Sequence, residues 1–247
     1  MDRLQLDKNA KLTGRVYFKD EVMWLGLSGS GASFTFDGTK LVLKLKGDNI
    51  AVGENPIDYA RIAVYVDGKR VVDEMIDCAE KEVTVIDHTE NAQSVVEIIK
   101  LSESPMSAVG VEAFTEGSAE ALPEKPLKIE FIGDSITCGY GVDDEDENHQ
   151  FTTATEDVTK AYAYKTAKAL DAEYSMFSAS GYGIVSGYTE GDEPISEQTI
   201  PQFYCSYGFS RGNFAGTAPQ DIPWDFSKYI PQIIVINLGT NDDSYCR

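Results

Sequence analysis

The 247-residue chain carries 21 basic against 41 acidic residues, a formal charge of −20, and 42% of it is apolar. That charge repels phosphate backbones and anionic lipid surfaces and offers no basic stripe to track them, so neither nucleic acid nor a membrane is expected as a partner. The apolar share fills the core of one large soluble domain or two ordinary ones. Cys78, Cys138, Cys205 and Cys246 are scattered without a Cys-x-x-Cys pair, and His88 and His149 are the only histidines to assist them. No metal site is expected, and the thiols read as free and buried. The segment Met1 to Lys8 has no apolar core of signal-peptide length, and no run of about 18 apolar residues follows. The chain as written reads as cytoplasmic or, with a trimmed leader, as secreted.

From Val16 to about Phe114 the pattern is one short strand after another. Ser33–Phe36, Lys40–Leu45, Arg61–Val66 and Glu82–Ile86 alternate with period two, and Asp37-Gly38, Gly47-Asp48-Asn49 and Asp67-Gly68 are turn signals between them. Regular spacing without a helical period predicts an antiparallel β-sandwich, jelly-roll-like, over residues 1–122. The small, polar, proline-containing stretch Glu116 to Pro126 reads as a linker.

A second domain is predicted over residues 127–247. Lys128–Ile132 reads as a strand, Val158 to about Leu170 as a helix, Glu173–Phe177 as a second strand and Ile233–Leu238 as a third. That order, with the last strand apolar on both faces, predicts a parallel sheet covered by helices. Tyr182 to Tyr229 is a long irregular stretch rich in Gly, Pro and aromatics, of a length that is usually functional or mobile.

Open parallel sheets bind ligands beyond the carboxyl ends of their strands. The first strand here runs into Gly133-Asp134-Ser135-Ile136-Thr137-Cys138-Gly139-Tyr140-Gly141, the second into Ser178-Ala179-Ser180-Gly181-Tyr182-Gly183, and the third into Gly239-Thr240-Asn241-Asp242. Three polar, glycine-rich ends on one edge predict a site, whereas any one alone is ordinary turn chemistry.

These segments resemble the SGNH (GDSL-type) hydrolase superfamily, and Ile132 to Gly141 with Ile236 to Asp242, behind a β-sandwich, are similar to carbohydrate esterase family 2. The resemblance implies a partial α/β/α, flavodoxin-like hydrolase domain and removal of O-acetyl groups from plant polysaccharides such as xylan and mannan, with no metal or organic cofactor. It implies Ser135 as the nucleophile of an acyl-enzyme. It also implies an oxyanion hole built from the Ser135 and Gly181 backbone N–H groups and the Asn241 side-chain amide. Asp134 and Asp242 read as loop-holding residues. The family takes its base from an Asp-x-x-His that follows two further strands, and the chain stops at Arg247, five residues after Asp242. The resemblance therefore implies roughly 100 further residues in the parent protein, by analogy with complete sheets of this type. This chain alone is expected to be inactive.

Neither histidine matches that motif. His88 falls in the sandwich, and His149 ends the acidic run Asp143 to Glu147, where a solvated loop histidine is the default and a substitute base the alternative. Gly208-Phe209-Ser210-Arg211-Gly212 has the spelling of a nucleophile elbow, but Asn213, Gly216, Pro219 and Pro223 leave no helix to complete it. Tyr204, Tyr207, Phe209, Phe214 and Trp224 either line a sugar-binding cleft, with Trp224 the first candidate, or pin the loop to its own domain. A lipase or thioesterase of the same superfamily and a non-catalytic carbohydrate-binding protein stand as alternatives to the esterase.

Overall fold

The computed structural model describes residues 1–53 and 55–246. Its first half is β1 (Asp2–Leu4), α1 (Leu6–Asn9), β2 (Lys11–Thr13), β3 (Val16–Lys19), β4 (Val22–Leu25), β5 (Gly31–Gly47), β6 (Ala60–Val66), β7 (Lys69–Ile76), β8 (Glu80–Lys100) and β9 (Val109–Ala121). These strands form one antiparallel sheet in the order β3-β4-β9-β5-β8-β6-β7, with β1 added on β9 and β2 on β5.

The sequence predicts two strands across Ser33 to Leu45, and the structure has one. Phe34 and Phe36 point inward, and so do Leu41, Leu43 and Leu45, all fully buried. The two sets have opposite parity, so a period-two strand cannot bury both unless one residue is absorbed between them. A bulge between Gly38 and Lys40 absorbs it. A Cβ on Gly38 would lie 2.4 Å from the Glu116 carbonyl oxygen and 2.7 Å from Gly117 Cα, so only glycine fits where β9 passes. The Asp37-Gly38 signal is thus a bulge rather than a turn. Asp67 and Gly68, both at positive φ, do turn the chain between β6 and β7.

The predicted linker is also corrected. Residues 116–121 continue β9 against β5, from Lys40 opposite Glu116 to Phe34 opposite Ala121. Their polar composition reflects an exposed strand extension, not a loose connection.

The second half has β10 (Lys128–Gly133), α2 (Ser135–Cys138), α3 (Tyr162–Ala169), β11 (Glu173–Ser178), α4 (Ile200–Phe203) and β12 (Ile233–Asn237). A three-stranded parallel sheet runs β11-β10-β12. The predicted helix from Val158 to Leu170 is shorter than its pattern. The Asp157 carboxylate accepts from the Thr159 amide at 3.0 Å and closes a separate 3₁₀ turn over Val158–Lys160. Ala161 then adopts an extended conformation before α3 begins. β12 pairs only with β10 among the described residues, and Ile233, Ile234 and Ile236 are exposed.

The two sheets share a core in which Ala63, Ile99 and Leu101 pack with Ile129, Phe131, Ala163, Ala167 and Met176. Fully burying side chains such as Leu101 and Phe131 contributes about 1.5–3 kcal/mol each. A second tie is Arg15, fully buried, which donates from Nη1 to the Tyr204 and Ser206 carbonyls at 2.6 Å each and lies 3.5 Å from Glu130 on β10.

Candidate active site

The site grows from the end of β10. A Cβ on Gly133 would sit 2.0 Å from Thr137 Oγ1, so the strand can meet the following turn only through glycine. Buried Asp134 then caps α2, its Oδ1 accepting from the Ile136 amide at 3.1 Å, and burial pushes its carboxyl up. Ser135 opens α2 half-buried, with no hydrogen-bond partner for its hydroxyl among the described residues. Gly139 ends the turn in the left-handed region at φ 84°, where a Cβ would meet the Asp157 carbonyl oxygen at 2.7 Å.

Strand register brings the other two segments to the same edge, because Gly133 lies opposite Ser178 on β11 and Asn237 on β12. After β11 the chain turns through Gly181 at φ 78°. Among the described residues, neither the Gly181 nor the Ser135 backbone N–H has an acceptor. After β12 the chain turns at Gly239, φ 120°, and delivers Asn241, which is buried. Its Nδ2 donates to the Tyr182 carbonyl at 2.7 Å, tying the third segment to the second and leaving one amide hydrogen over. Asp242 accepts from the amides of Ile184, Val185 and Ser186 at 2.6–3.0 Å. Burial works against its ionisation, but those amides outweigh burial and hold the carboxyl below its usual range. Asp134 and Asp242 are thus engaged in holding the turns.

Beneath this edge lies a group for which the sequence carries no motif. Glu103, Cys138 and Glu156 are buried, with one ligand atom of each within 4.8 Å of the others. Lys100, fully buried, donates to the Ser102 and Glu103 carbonyls at 2.6 and 2.9 Å. Burial pulls its ammonium down to about 8, against the opposing pull of Glu156, Asp48 and Glu103. Glu103 lies 35 positions before Cys138, and Glu156 a further 18 beyond it, so no spacing rule finds them. Tyr140 and Phe151, stacked at 3.8 Å between ring centroids, stand at the rim, and the Tyr140 amide donates to the Ser135 carbonyl.

Other candidates fall elsewhere. Trp224 is half-buried over the Arg15 guanidinium at 5.3 Å, in the cluster of Val22, Trp24, Tyr207 and Phe214. Tyr204 donates to Glu130, Tyr207 donates to the Trp24 carbonyl, Phe214 stacks on Trp24 and Phe209 on Phe203. Tyr207, Phe214 and Trp224 thus pack on residues of the first half of the chain, and Tyr204 and Phe209 on residues of the second. Ser210 is buried and accepts from the Gly212 amide, and the described residues directly after it form no α-helix. His149 is exposed and pairs with Asp144 at 2.9 Å, and His88 is exposed on β8, so among the described residues no imidazole bonds to Ser135.

A family model described as carbohydrate esterase 2 N-terminal matches residues 12–126. The chain is 33% identical over 220 residues to cellulase/esterase CelE of Acetivibrio thermocellus, covering 88% of this chain and 24% of that protein. It is 29% identical over 245 residues to an acetylxylan esterase / glucomannan deacetylase of Cellvibrio japonicus, covering 96% of this chain and 62% of that one. It thus spans less than two thirds of either relative. Among solved structures, a family two carbohydrate esterase from Clostridium thermocellum in complex with cellohexaose superposes with a TM-score of 0.78 at 28% identity, over 95% of this chain and 67% of that one.

Proposed function

We propose that the chain belongs to carbohydrate esterase family 2 and acts in a serine esterase that removes O-acetyl groups from carbohydrate of the xylan or mannan type. In this reading residues 1–122 are a jelly-roll-like accessory sandwich and residues 127–247 belong to an SGNH hydrolase domain of flavodoxin-like α/β/α form. The observation that carries it is the convergence of three strand ends, one bringing an unpartnered serine hydroxyl and two bringing free hydrogen-bond donors, on one edge of the parallel sheet.

Ser135 Oγ attacks the acetyl carbonyl, the ester C–O bond breaks and the sugar leaves as its free hydroxyl, taking up the proton that Ser135 gives up; water then cleaves the acyl-enzyme to acetate and restores the serine hydroxyl. The carbonyl oxygen gains charge in that step, and the Ser135 amide, the Gly181 amide and the remaining Asn241 amide hydrogen supply donors held by the fold before the reaction begins. Glycine at 181 lets the carbonyl approach bare backbone, and asparagine at 241 donates without ionising. The exposed face of Tyr140 offers an apolar surface to a pyranose ring.

The test is acetate release from acetylated xylan by the full-length protein and its Ser135→Ala variant. Ser135→Ala should abolish turnover with the fold intact. Retained turnover, with loss in Ser210→Ala instead, would refute the assignment.

A second reading, sugar binding without turnover, is supported by the similar family two carbohydrate esterase that is solved in complex with cellohexaose. It predicts that the full-length protein binds cello- or xylo-oligosaccharides, measured by calorimetry, while releasing no acetate.

A further inference from the structure

Between β8 and β9 the chain is irregular yet buried, from Leu101 through Pro105 and again at Ser107 and Ala108. Irregular backbone in an interior needs partners for its polar groups, and this segment finds them on the other half of the molecule. Val158 donates to the Leu101 carbonyl, Arg211 donates to the Pro105 carbonyl, and Ser104 Oγ donates to the Phe209 carbonyl. Glu103 sits in the middle of it. Its Oε2 accepts from the Ser180 amide at 2.5 Å and from the Cys138 thiol at 3.7 Å. Ser180 precedes Gly181, and Cys138 closes the short helix that Ser135 opens, so one carboxyl touches both the turn and the helix that meet at the site. Cys138 Sγ also lies 3.4 Å from Ser180 Oγ.

Glu156 completes the arrangement. Its Oε2 accepts from the Glu103 amide at 2.9 Å. That leaves Glu103 Oε1 and Glu156 Oε1, both buried and without a partner. Two neighbouring carboxylates in an apolar interior repel and cannot both ionise, so burial holds one proton on the pair and makes one of them a donor beside an acceptor. With one proton the pair carries −1, opposite in sign to the buried Lys100 ammonium. The other charged or titratable groups acting on the cluster are Asp48, which accepts from Ser107 and Ala108 and faces Lys100, and Tyr140. Burial and the two carboxyls push the Cys138 thiol up, so it stays protonated and is a poor metal ligand.

We propose that Glu103 is a positioning residue for the oxyanion hole: its carboxyl shares one proton with Glu156 and, through the Ser180 amide, sets the Ser180–Gly181 turn against the helix that carries Ser135. The inference rests on the reading of Ser135 and Gly181 given under the proposed function. It makes the antiparallel half of the chain a contributor to the site, because Glu103 comes from the connection between two of its strands.

The test is steady-state kinetics on 4-nitrophenyl acetate by the full-length protein, with melting temperature and bound metal measured on each variant. Glu103→Ala should lower kcat about 10²-fold, near the cost of one oxyanion donor, and leave KM within about two-fold. Glu103→Gln should recover kcat to within about five-fold of wild type, since its amide oxygen still accepts from Ser180 and its amide hydrogen replaces the shared proton. Glu156→Gln should behave in the same way. Wild-type kcat in Glu103→Ala alongside a lowered melting temperature would make the role merely structural and overturn the proposal. So would a 10²-fold loss in either glutamine variant, a result that decides even where Glu103→Ala does not fold, or one equivalent of bound metal. Ser135→Ala separates the two levels: if it keeps activity, the functional reading falls and this inference with it. If it is inactive while Glu103→Ala is fully active, only the positioning role falls.

Discussion

Arg15 is a demanding place to test how the two sheets are joined. Burial pushes its pKa down, Glu130 and Tyr204 pull it back, and a guanidinium stays charged in either case. It is fully buried, stacked within 4.4–5.5 Å of the Phe177, Tyr204, Trp224 and Phe226 rings, and bonded to two carbonyls of the long loop. Arg15→Met preserves much of the apolar stem but leaves the Tyr204 and Ser206 carbonyls without that donor. It also leaves the buried Glu130 carboxylate with only the Tyr204 hydroxyl, at 2.6 Å. Removing one partner of a buried pair costs about 3–5 kcal/mol. At about 2–4 °C per kcal/mol for a chain of this size, the melting temperature should fall by roughly 6–20 °C. Much of that cost is the orphaned carboxylate, so Glu130→Gln in the Arg15→Met background should restore part of it, giving a coupling of about 1 kcal/mol or more in a double-mutant cycle. Urea unfolding of the four proteins measures this. A loss under about 1 kcal/mol in Arg15→Met, or strict additivity with Glu130→Gln, would refute the reasoning.

Asn241→Ala should lower kcat about 10²–10³-fold with KM nearly unchanged, and a change confined to KM would make Asn241 a substrate-binding residue instead. His149→Asn should leave acetate release at the wild-type rate, because the imidazole is exposed and bonds to Asp144, and a large loss of kcat would restore it as a candidate base. Burial works against ionisation of Asp73 and Asp143, yet hydrogen bonds from Arg61 and Arg70 to the first and from Lys160 and Arg61 to the second prevail and hold both carboxyls below the usual range. Their stabilisation is therefore present above the unfolded value of about 3.9 and is lost as pH falls through the lower folded values. Denaturant unfolding from about pH 6 to 3 should show a shallower acid limb in Asp73→Asn/Asp143→Asn than in wild type, and identical limbs would contradict the pairing.

Much of this was open to reading along the chain because its cause is local. Period-two alternation from Arg61 to Val66 places β6, and the glycines at 133, 181 and 239 announce turns at three strand ends because the backbone there takes conformations or approaches that a side chain blocks. The chemistry of those ends, a serine, a glycine and an asparagine, could likewise be named before any coordinates. Where Ser33 to Leu45 was concerned, local turn preference at Asp37-Gly38 lost to the demand that two inward-facing sets of opposite parity be buried in one core, which only the neighbouring strands impose. Val158 to Leu170 fell short of its helical pattern because Asp157 bonds to the first turn and the Val158 amide is drawn to Leu101. Trp224 stands next to the segment Asp225 to Tyr229 in sequence, while its ring packs on Arg15, more than 200 positions earlier, a contact that only the fold makes. The Glu103–Glu156 pair is the extreme case. A glutamate between two serines and another beside an aspartate are unremarkable as letters, and their meaning arises when folding removes water from both and leaves the pair one proton, a condition set by burial and proximity that no spacing along the chain encodes.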